Sequence, residues 1–201
     1  MGLETAEDRI LTLPNVITLA RLCLLPVFLW LLLGRGDRAA AAWVLAVMGV
    51  TDWVDGYLAR HLDQVSTVGK VLDPIADRLV FIVGVGAILY DGAVPAGVAV
   101  ITIAREVLVA ATFLVLTGLG ASRIDVTWWG KAGTFALMCA FPLFLWGHST
   151  VSWHRAAEGL AWVFAIPGLV LSVGSLALYV PLGRRALADG RAARRLAEAG
   201  L

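Results

Sequence analysis

The sequence predicts an all-helical integral membrane protein with six transmembrane helices. Hydrophobic residues make up 60% of its 201 positions and charged residues only 15%, whereas soluble domains carry about 25% charged residues. The mean hydropathy is +0.84. Six apolar runs are long enough, or nearly so, to cross a hydrocarbon core of about 30 Å as helices. The net charge of +1 excludes a strongly basic, nucleic-acid-binding protein.

The six predicted spans differ in length and in the charges they enclose. The third is short, and we expect its helix to begin near Thr67, which places Asp73 and Asp77 close to one membrane surface. No internal repeat or second domain is visible, so residues 1–201 are predicted to form one membrane domain. Its basic tail, 183–201, suits a short helix on an anionic membrane surface or a solvated segment. The spans are 13–33, 39–58, 76–90, 94–119, 128–147 and 159–182.

Basic residues in the loops predict the orientation of the chain. If the N-terminus is cytoplasmic, eleven Lys and Arg residues fall on the cytoplasmic side and three on the other, while Arg21 and Arg105 lie within spans. Cytoplasmic loops of membrane proteins carry the excess of these residues. Both termini are therefore predicted to be cytoplasmic.

Four aspartates lie at adjoining ends of the second and third spans. Asp52 and Asp55 are three residues apart, and Asp73 and Asp77 are four apart, so each pair shares a helix face. Four carboxylates close together would repel one another without cations. Because oxygen ligands without His or Cys select hard ions such as Mg²⁺, Mn²⁺ or Ca²⁺, the aspartates predict a divalent-metal site facing the cytoplasm.

Small residues and one arginine accompany the aspartates. Gly56, Ala59 and Gly69 leave room on the same faces for close helix packing or for a flat ligand group. Arg60 suits either a structural salt bridge or a clamp on a phosphate.

The first span has a polar face. Asn15, Thr18 and Arg21 recur every three residues, so they share one side of a helix. We expect Arg21 to pair with the aspartates or with a phosphate, because an arginine facing lipid is costly.

The acidic segment satisfies the pattern D-x2-D-G-x2-A-R-x8-G-x3-D-x3-D without a gap, from Asp52 to Asp77. In this it resembles the CDP-alcohol phosphotransferase family. The first-span segment L-P-N-V-I-T-L-A-R at 13–21 is similar to the branch that makes phosphatidylglycerol phosphate or cardiolipin. The segments A-R-E at 104–106 and G-K-A-G-T at 130–134 extend the resemblance.

The resemblance implies transfer of the phosphatidyl group of CDP-diacylglycerol to an alcohol, with release of CMP. It also implies two divalent cations, Mg²⁺ or Mn²⁺, as cofactors. It implies Asp52, Asp55 and Asp73 as metal ligands, and Asp77 as the general base or a further ligand. It also implies a homodimer in a bacterial cytoplasmic membrane. The implied catalytic residues are Asp73 and Asp77, and the implied CDP-binding residues are Asp52, Gly56, Ala59, Arg60, Gly69 and Asp73.

The acceptor alcohol is expected to be glycerol-3-phosphate, giving phosphatidylglycerol phosphate. The alternative is phosphatidylglycerol, which would make the protein a cardiolipin synthase. An ion-coupled transporter is the non-enzyme alternative, but that class predicts acids near the bilayer midplane and an internal repeat. The candidate acceptor-binding cations are Lys70, Arg105, Arg123 and Lys131.

Overall fold

The computed structural model describes residues 13–62, 69–119, 121 and 127–198. Side chains are described for a smaller set, which leaves out those of 13–17, 52–62, 69–76, 180, 184 and 189–198. The described ranges are helical and contain no strand. The elements are α1 (Leu13–Leu29), a π-helical turn (Trp30–Gly34), α2 (Arg38–Leu62), α3 (Gly69–Asp91), α4 (Ala96–Gly118), α5 (Trp128–Gly147) and α6 (His154–Glu198).

Each of the six predicted spans coincides with a helix. Helix α5 has the predicted limits, and α3 begins at Gly69, as the expected extension of the third run requires. Helix α6 continues without a break from the sixth predicted span into the basic tail, as far as Glu198. Residues 184–198 are rich in Ala, Arg and Leu, which favour helix, and Pro181 does not stop it.

Within the part of the chain that the structure describes, two helices are long and apolar enough to cross a membrane: Ala96–Gly118 and His154–Ala188. Shorter apolar stretches occupy Thr18–Gly34 and Arg38–Thr51. Large hydrophobic side chains also face outward, among them Leu114, Val163 and Val170, where a soluble protein would present polar groups. These features are those of a membrane protein, and six crossings remain a prediction.

Helices α5 and α6 pack closely because glycines remove the side chains between them. A Cβ on Gly133 would lie 2.6 Å from the backbone N of Ser172, and one on Gly147 would lie 2.9 Å from Cβ of Glu158. Such distances are shorter than a real Cβ tolerates. The glycines therefore fix how near α6 can approach α5, and with it the positions of the α6 side chains.

An arginine ties three helices together at one end of the bundle. Arg38 donates from Nε to Oδ2 of Asp91 over 2.8 Å, and from Nη2 to the Asp91 carbonyl over 3.1 Å. Its Nη1 donates to the carbonyl of His148 over 3.0 Å. All three guanidinium nitrogens are thus used, and the start of α2 is joined to the ends of α3 and α5. The apolar core of the bundle includes the fully buried side chains of Phe28, Leu32, Ile88, Leu137, Phe144 and Leu145.

Candidate active site

An ion pair between α1 and α3 forms the first part of the candidate site. Arg21 is 4% exposed on the inner face of α1, while Asp77, two turns into α3, is 44% exposed. Arg21 donates from Nη1 to Oδ1 of Asp77, and Thr18 is buried on the same face of α1. A buried guanidinium costs several kcal/mol unless an acid pairs with it. This pair explains how an arginine is accommodated within the first apolar run.

A second group of polar side chains joins α4, α5 and α6, and we call it the α4–α6 polar cluster: Arg105, Glu106, Thr134, Ser175 and Tyr179. Arg105 is 5% exposed and donates from Nη1 to Oε1 of Glu106. The same Nη1 lies 3.4 Å from the Thr134 hydroxyl oxygen, and Nη2 lies 3.5 Å from that of Ser175. Among the described residues, the buried Tyr179 hydroxyl has no hydrogen-bond partner.

Gly130 lets polar groups of the α4–α6 polar cluster come close together. An ideal Cβ on Gly130 would lie 3.0 Å from Arg105 Nη2, 3.1 Å from the Tyr179 hydroxyl oxygen and 3.2 Å from Ser175 Oγ. Donors from α4 and α6 therefore converge over one glycine of α5. A guanidinium and hydroxyls gathered in this way are the groups that bind phosphate oxygens.

A cavity of about 180 Å³ is lined by the Arg21–Asp77 pair and by two members of the α4–α6 polar cluster, Glu106 and Thr134. Its charged and polar wall, which we call the polar mouth, consists of Arg21, Asp77, Arg78, Glu106 and Thr134. The remaining wall, the apolar well, consists of Leu45, Met48, Gly49, Val80, Phe81, Gly84, Val85, Ile88, Met138 and Phe141. The cavity is thus polar at one end and apolar along the rest of its length.

The predicted metal and CDP-binding residues lie on the helices that line this cavity. Asp52, Asp55, Gly56, Ala59 and Arg60 are in the last three turns of α2, while Gly69 and Asp73 are in the first two turns of α3. The side chains of these seven residues are outside the described set, whereas the side chain of Asp77, the remaining predicted metal ligand, is described.

Helical register relates these aspartates to the cavity. Asp52 follows the cavity residue Met48 by four positions on α2, and Asp73 precedes the cavity residue Asp77 by four on α3. Positions four apart share a helix face. Both aspartates therefore occupy positions on the faces that line the cavity.

The other predicted residues have different outcomes. Arg105 is buried in the α4–α6 polar cluster, whereas Lys131 is exposed on α5. Lys70 lies in the first turn of α3, and Asn15 in the first turn of α1, both with side chains outside the described set. Arg123 lies outside the described residues.

The described side chains include no group of three or more His, Cys, Asp or Glu that could hold a metal ion. Three of the four predicted ligands, Asp52, Asp55 and Asp73, are not among those side chains. The predicted metal site stays a prediction that rests on the donor types and their spacing.

Sequence reasoning missed Arg78, Ser175 and Tyr179. Arg78 is one of the eleven Lys and Arg residues that predicted the cytoplasmic side, and no role at the site was predicted for it. The α6 hydroxyls had a signal in the spacing of Ser172, Ser175 and Tyr179, which gives three polar positions on one side of an apolar helix. Polar groups inside apolar spans tend to face a protein interior.

Comparison with known proteins assigns the chain to a class of lipid-synthesising enzymes. The profile of the CDP-alcohol phosphatidyltransferase family matches residues 11–174. The chain is 37% identical over 183 residues to the cardiolipin synthase (CMP-forming) of Streptomyces coelicolor, covering 89% of this chain and 85% of that protein.

Two further relatives have a different name, CDP-diacylglycerol–glycerol-3-phosphate 3-phosphatidyltransferase. The Bacillus subtilis protein is 37% identical over 147 residues, covering 66% of this chain and 76% of that protein. The Escherichia coli protein is 33% identical over 182 residues, covering 88% of this chain and 97% of that protein.

The chain belongs to the CDP-alcohol phosphatidyltransferase family. The resemblance inferred from the aspartate pattern is confirmed, and so is the prediction of an enzyme rather than a transporter.

Proposed function

We propose that the protein transfers the phosphatidyl group of CDP-diacylglycerol to a glycerol-type alcohol and releases CMP. Family membership supplies the reaction class. The observation that carries the assignment within this molecule is the cavity lined by Asp77, which Arg21 holds, and by Glu106 and Thr134 of the α4–α6 polar cluster. An enzyme that joins two phosphate-containing substrates needs an acid and separate cationic groups around a common cavity.

The aspartates fit divalent cations. Their donor set is oxygen only, which suits Mg²⁺ or Mn²⁺. Asp52, Asp55 and Asp73 are the residues that would hold them, and Asp77 is the alternative fourth ligand. Bound cations would neutralise charge on the pyrophosphate of the donor.

Asp77 is proposed as the general base. The acceptor hydroxyl oxygen forms a bond to the phosphatidyl phosphorus, the bond from that phosphorus to the bridging oxygen of CMP breaks, and the hydroxyl proton passes to Asp77. Arg21 orients the Asp77 carboxylate from the buried side, and the 44% exposure of Asp77 leaves it open to the cavity. Gly56, Ala59, Arg60 and Gly69 are proposed to receive the CDP moiety.

The α4–α6 polar cluster is proposed as the acceptor-phosphate subsite. Arg105 Nη2 and the Tyr179 hydroxyl lie over Gly130 and would donate to phosphate oxygens. The Ser175 hydroxyl donates to the Ser172 carbonyl over 2.6 Å and accepts from Arg105 Nη2. Lys70, Arg123 and Lys131, the other cations predicted from the sequence, are proposed to add positive charge for the acceptor.

The charge balance of the cluster favours phosphatidylglycerol as the acceptor. Glu106 already pairs with Arg105, so the described subsite is close to neutral and suits a phosphodiester with one charge better than a phosphomonoester with up to two. Tyr179 also lines an apolar cavity of about 450 Å³ between α4 and α6, whose wall includes Val109 and Phe113. Acyl chains fit such a wall, whereas glycerol-3-phosphate has none.

Glycerol-3-phosphate is the second candidate acceptor. It was the one expected from the sequence, and the Bacillus subtilis and Escherichia coli relatives carry it in their names. At equal identity, the cardiolipin synthase relative matches 89% of the chain and the Bacillus subtilis relative 66%, which adds support for phosphatidylglycerol.

The full chain, purified in detergent, tests both levels of the proposal. It is incubated with CDP-diacylglycerol and Mg²⁺ or Mn²⁺, with phosphatidylglycerol and glycerol-3-phosphate offered separately, and CMP and the lipid product are measured. We expect cardiolipin from phosphatidylglycerol and loss of CMP release with EDTA. Product from glycerol-3-phosphate alone would overturn the acceptor assignment, and no CMP with either acceptor would overturn the transferase assignment.

Tyr179→Phe tests the acceptor subsite, with Tyr90→Phe as the matched control because Tyr90 is exposed at the end of α3. Loss of one hydrogen bond to a charged group predicts about a tenfold rise in KM for the acceptor, with the KM for CDP-diacylglycerol unchanged. Equal changes in both KM values would count against the subsite.

We further propose that the protein is a homodimer in a bacterial cytoplasmic membrane, with both termini and the polar mouth on the cytoplasmic side. The excess of loop Lys and Arg on that side supports the orientation. Cysteine-accessibility labelling of loop positions in intact cells measures it.

A further inference from the structure

The apolar well differs from the rest of the bundle interior because it is open space. Gly84 on α3 is buried, yet a Cβ placed on it would meet nothing within 4 Å. Across the cavity, a Cβ on Gly49 would meet only Cε of Met138, at 3.6 Å. Protein interiors are normally packed to crystal density, so a buried glycine next to empty space marks a cavity that the sequence keeps open.

The contrast with Gly133 shows that Gly84 does not serve close helix packing, which is the usual reason for a buried glycine in a helix. Gly133 lets two helix backbones approach, since its Cβ would lie 2.6 Å from Ser172 N. Gly84 has no such neighbour. Its missing side chain contributes volume to the well and not closeness between helices.

The shape of the cavity matches an amphiphile. Arg21 and Arg78 at the polar mouth complement a phosphate, and the described residues of the apolar well carry no charged side chain. On α3 the cavity wall extends from Asp77 to Ile88, which is about 16 Å at about 1.5 Å per residue. One end thus suits a headgroup and the other a hydrocarbon chain.

We propose that the apolar well binds one acyl chain of the donor, CDP-diacylglycerol, and that Gly84 sets how long a chain it accepts. This inference rests on the proposed function, because that function places the reacting phosphate of the donor beside Asp77, at the mouth of the well. The chain attached through the glycerol of the same phosphatidyl group then lies within reach of the well. The donor is common to both candidate acceptors, so the inference holds for either one.

Gly84→Leu tests the role of the glycine, and Gly86→Leu is its matched control. Gly86 lies on the same helix and also has nothing within 4 Å of an added Cβ, but it does not line the cavity. We expect Gly84→Leu to lower kcat/KM for long-chain CDP-diacylglycerol by about tenfold or more, with little change for a dioctanoyl donor. Gly86→Leu should change neither value. A Gly84→Leu enzyme with wild-type chain-length preference would overturn the proposal.

Photo-crosslinking gives a readout that needs neither turnover nor a folded variant. Wild-type protein is irradiated with CDP-diacylglycerol carrying a diazirine near the end of one acyl chain, and labelled peptides are mapped. Labels within 80–88 and 138–141 are expected, and labels confined to outward-facing positions such as Leu114 and Val170 would refute the assignment.

A phosphatidylglycerol probe with the same diazirine separates donor from acceptor. Labelling of the well by this probe at equal or higher yield would assign the well to the acceptor and contradict the proposal. If no CMP is released in the activity assay, the proposed function fails, while the crosslinking with the donor probe still decides what the well binds.

Discussion

Helix α3 carries two Arg–Asp ion pairs that have the same chemistry and different surroundings. Asp77 pairs with Arg21 of α1, and Asp91 pairs with Arg38 of α2, fourteen residues further along the helix, which is about 21 Å. At the second pair the arginine is the more exposed partner, at 33%, and the acid is 12% exposed. At the first pair the arginine is buried and the acid is 44% exposed.

The difference indicates what each pair does. Arg38 also donates to two backbone carbonyls, so its pair holds three helix ends together. The Arg21–Asp77 pair lies in a cavity wall, with the carboxylate presented to the cavity. A buried arginine that orients a partly exposed carboxylate suits a catalytic role. A largely buried carboxylate that pairs with a more exposed arginine suits a role in the stability of the fold.

Asp77→Asn and Asp91→Asn should separate the two pairs most clearly. With Asp77 as the proposed general base, Asp77→Asn is expected to lose about 10²–10⁴-fold in kcat while remaining folded, and Asp91→Asn should keep kcat within about threefold. CMP release and thermal unfolding in detergent measure the two effects. CDP-diacylglycerol binding that falls as far as kcat would reassign Asp77 from base to metal ligand.

Exchanging the partners sharpens the comparison. The double variant Arg38→Asp with Asp91→Arg restores an ion pair with the two charges exchanged. It should recover part of the stability that each single change removes. The corresponding exchange of Arg21 and Asp77 should recover no activity, because a guanidinium at 77 cannot accept a proton. Restored turnover in that second double variant would mean that the first pair is structural as well.

Arg38→Met should destabilise the protein by about 2 kcal/mol, because Asp91 and the His148 carbonyl lose a charged donor. The measurement is the unfolding free energy in mixed micelles, with the specific activity of the folded fraction as the second readout. A stable variant with reduced activity would reverse the roles given to the two ends.

The smallest expected effect comes from the residue that precedes α2. Asp37 accepts a hydrogen bond from the backbone N of Ala40 over 3.0 Å, as a helix N-cap does. Asp37→Ala should cost about 1 kcal/mol with no change in kcat, and Asp37→Asn should restore most of it. Thermal melts of the two variants make this comparison, and a change in kcat would show that the structural end communicates with the site.

The helices could be predicted from the sequence because apolar runs separated by polar turns specify them locally. Helix α5 has the predicted limits for this reason. Both Arg–Asp pairs join residues more than 50 positions apart. The pairing of Arg21 was anticipated because an arginine inside an apolar run demands a partner, whereas Arg38 and Asp91 sit at helix ends where charges need none.

The hydroxyls of the α4–α6 polar cluster were not predictable in the same way. Ser175 lies 70 positions from Arg105 in the chain. A serine within an apolar helix can satisfy its hydroxyl on a carbonyl of its own helix, so its presence does not indicate a partner on another helix. Their convergence depends on how closely α6 approaches α5, which Gly133 and Gly147 determine in three dimensions. Local pattern carries no information on that distance.

The length of α6 makes the protein sensitive to the bilayer around it. At about 1.5 Å per residue, the candidate span His154–Ala188 is about 52 Å long, whereas a hydrocarbon core is about 30 Å thick. Charged residues lie at both of its ends, Arg155 and Glu158 at one and Arg185 at the other. Such a helix must tilt, bend at Pro167 or Pro181, or extend out of the membrane. Because Ser175 and Tyr179 are on this helix, membrane thickness is mechanically coupled to the geometry of the α4–α6 polar cluster.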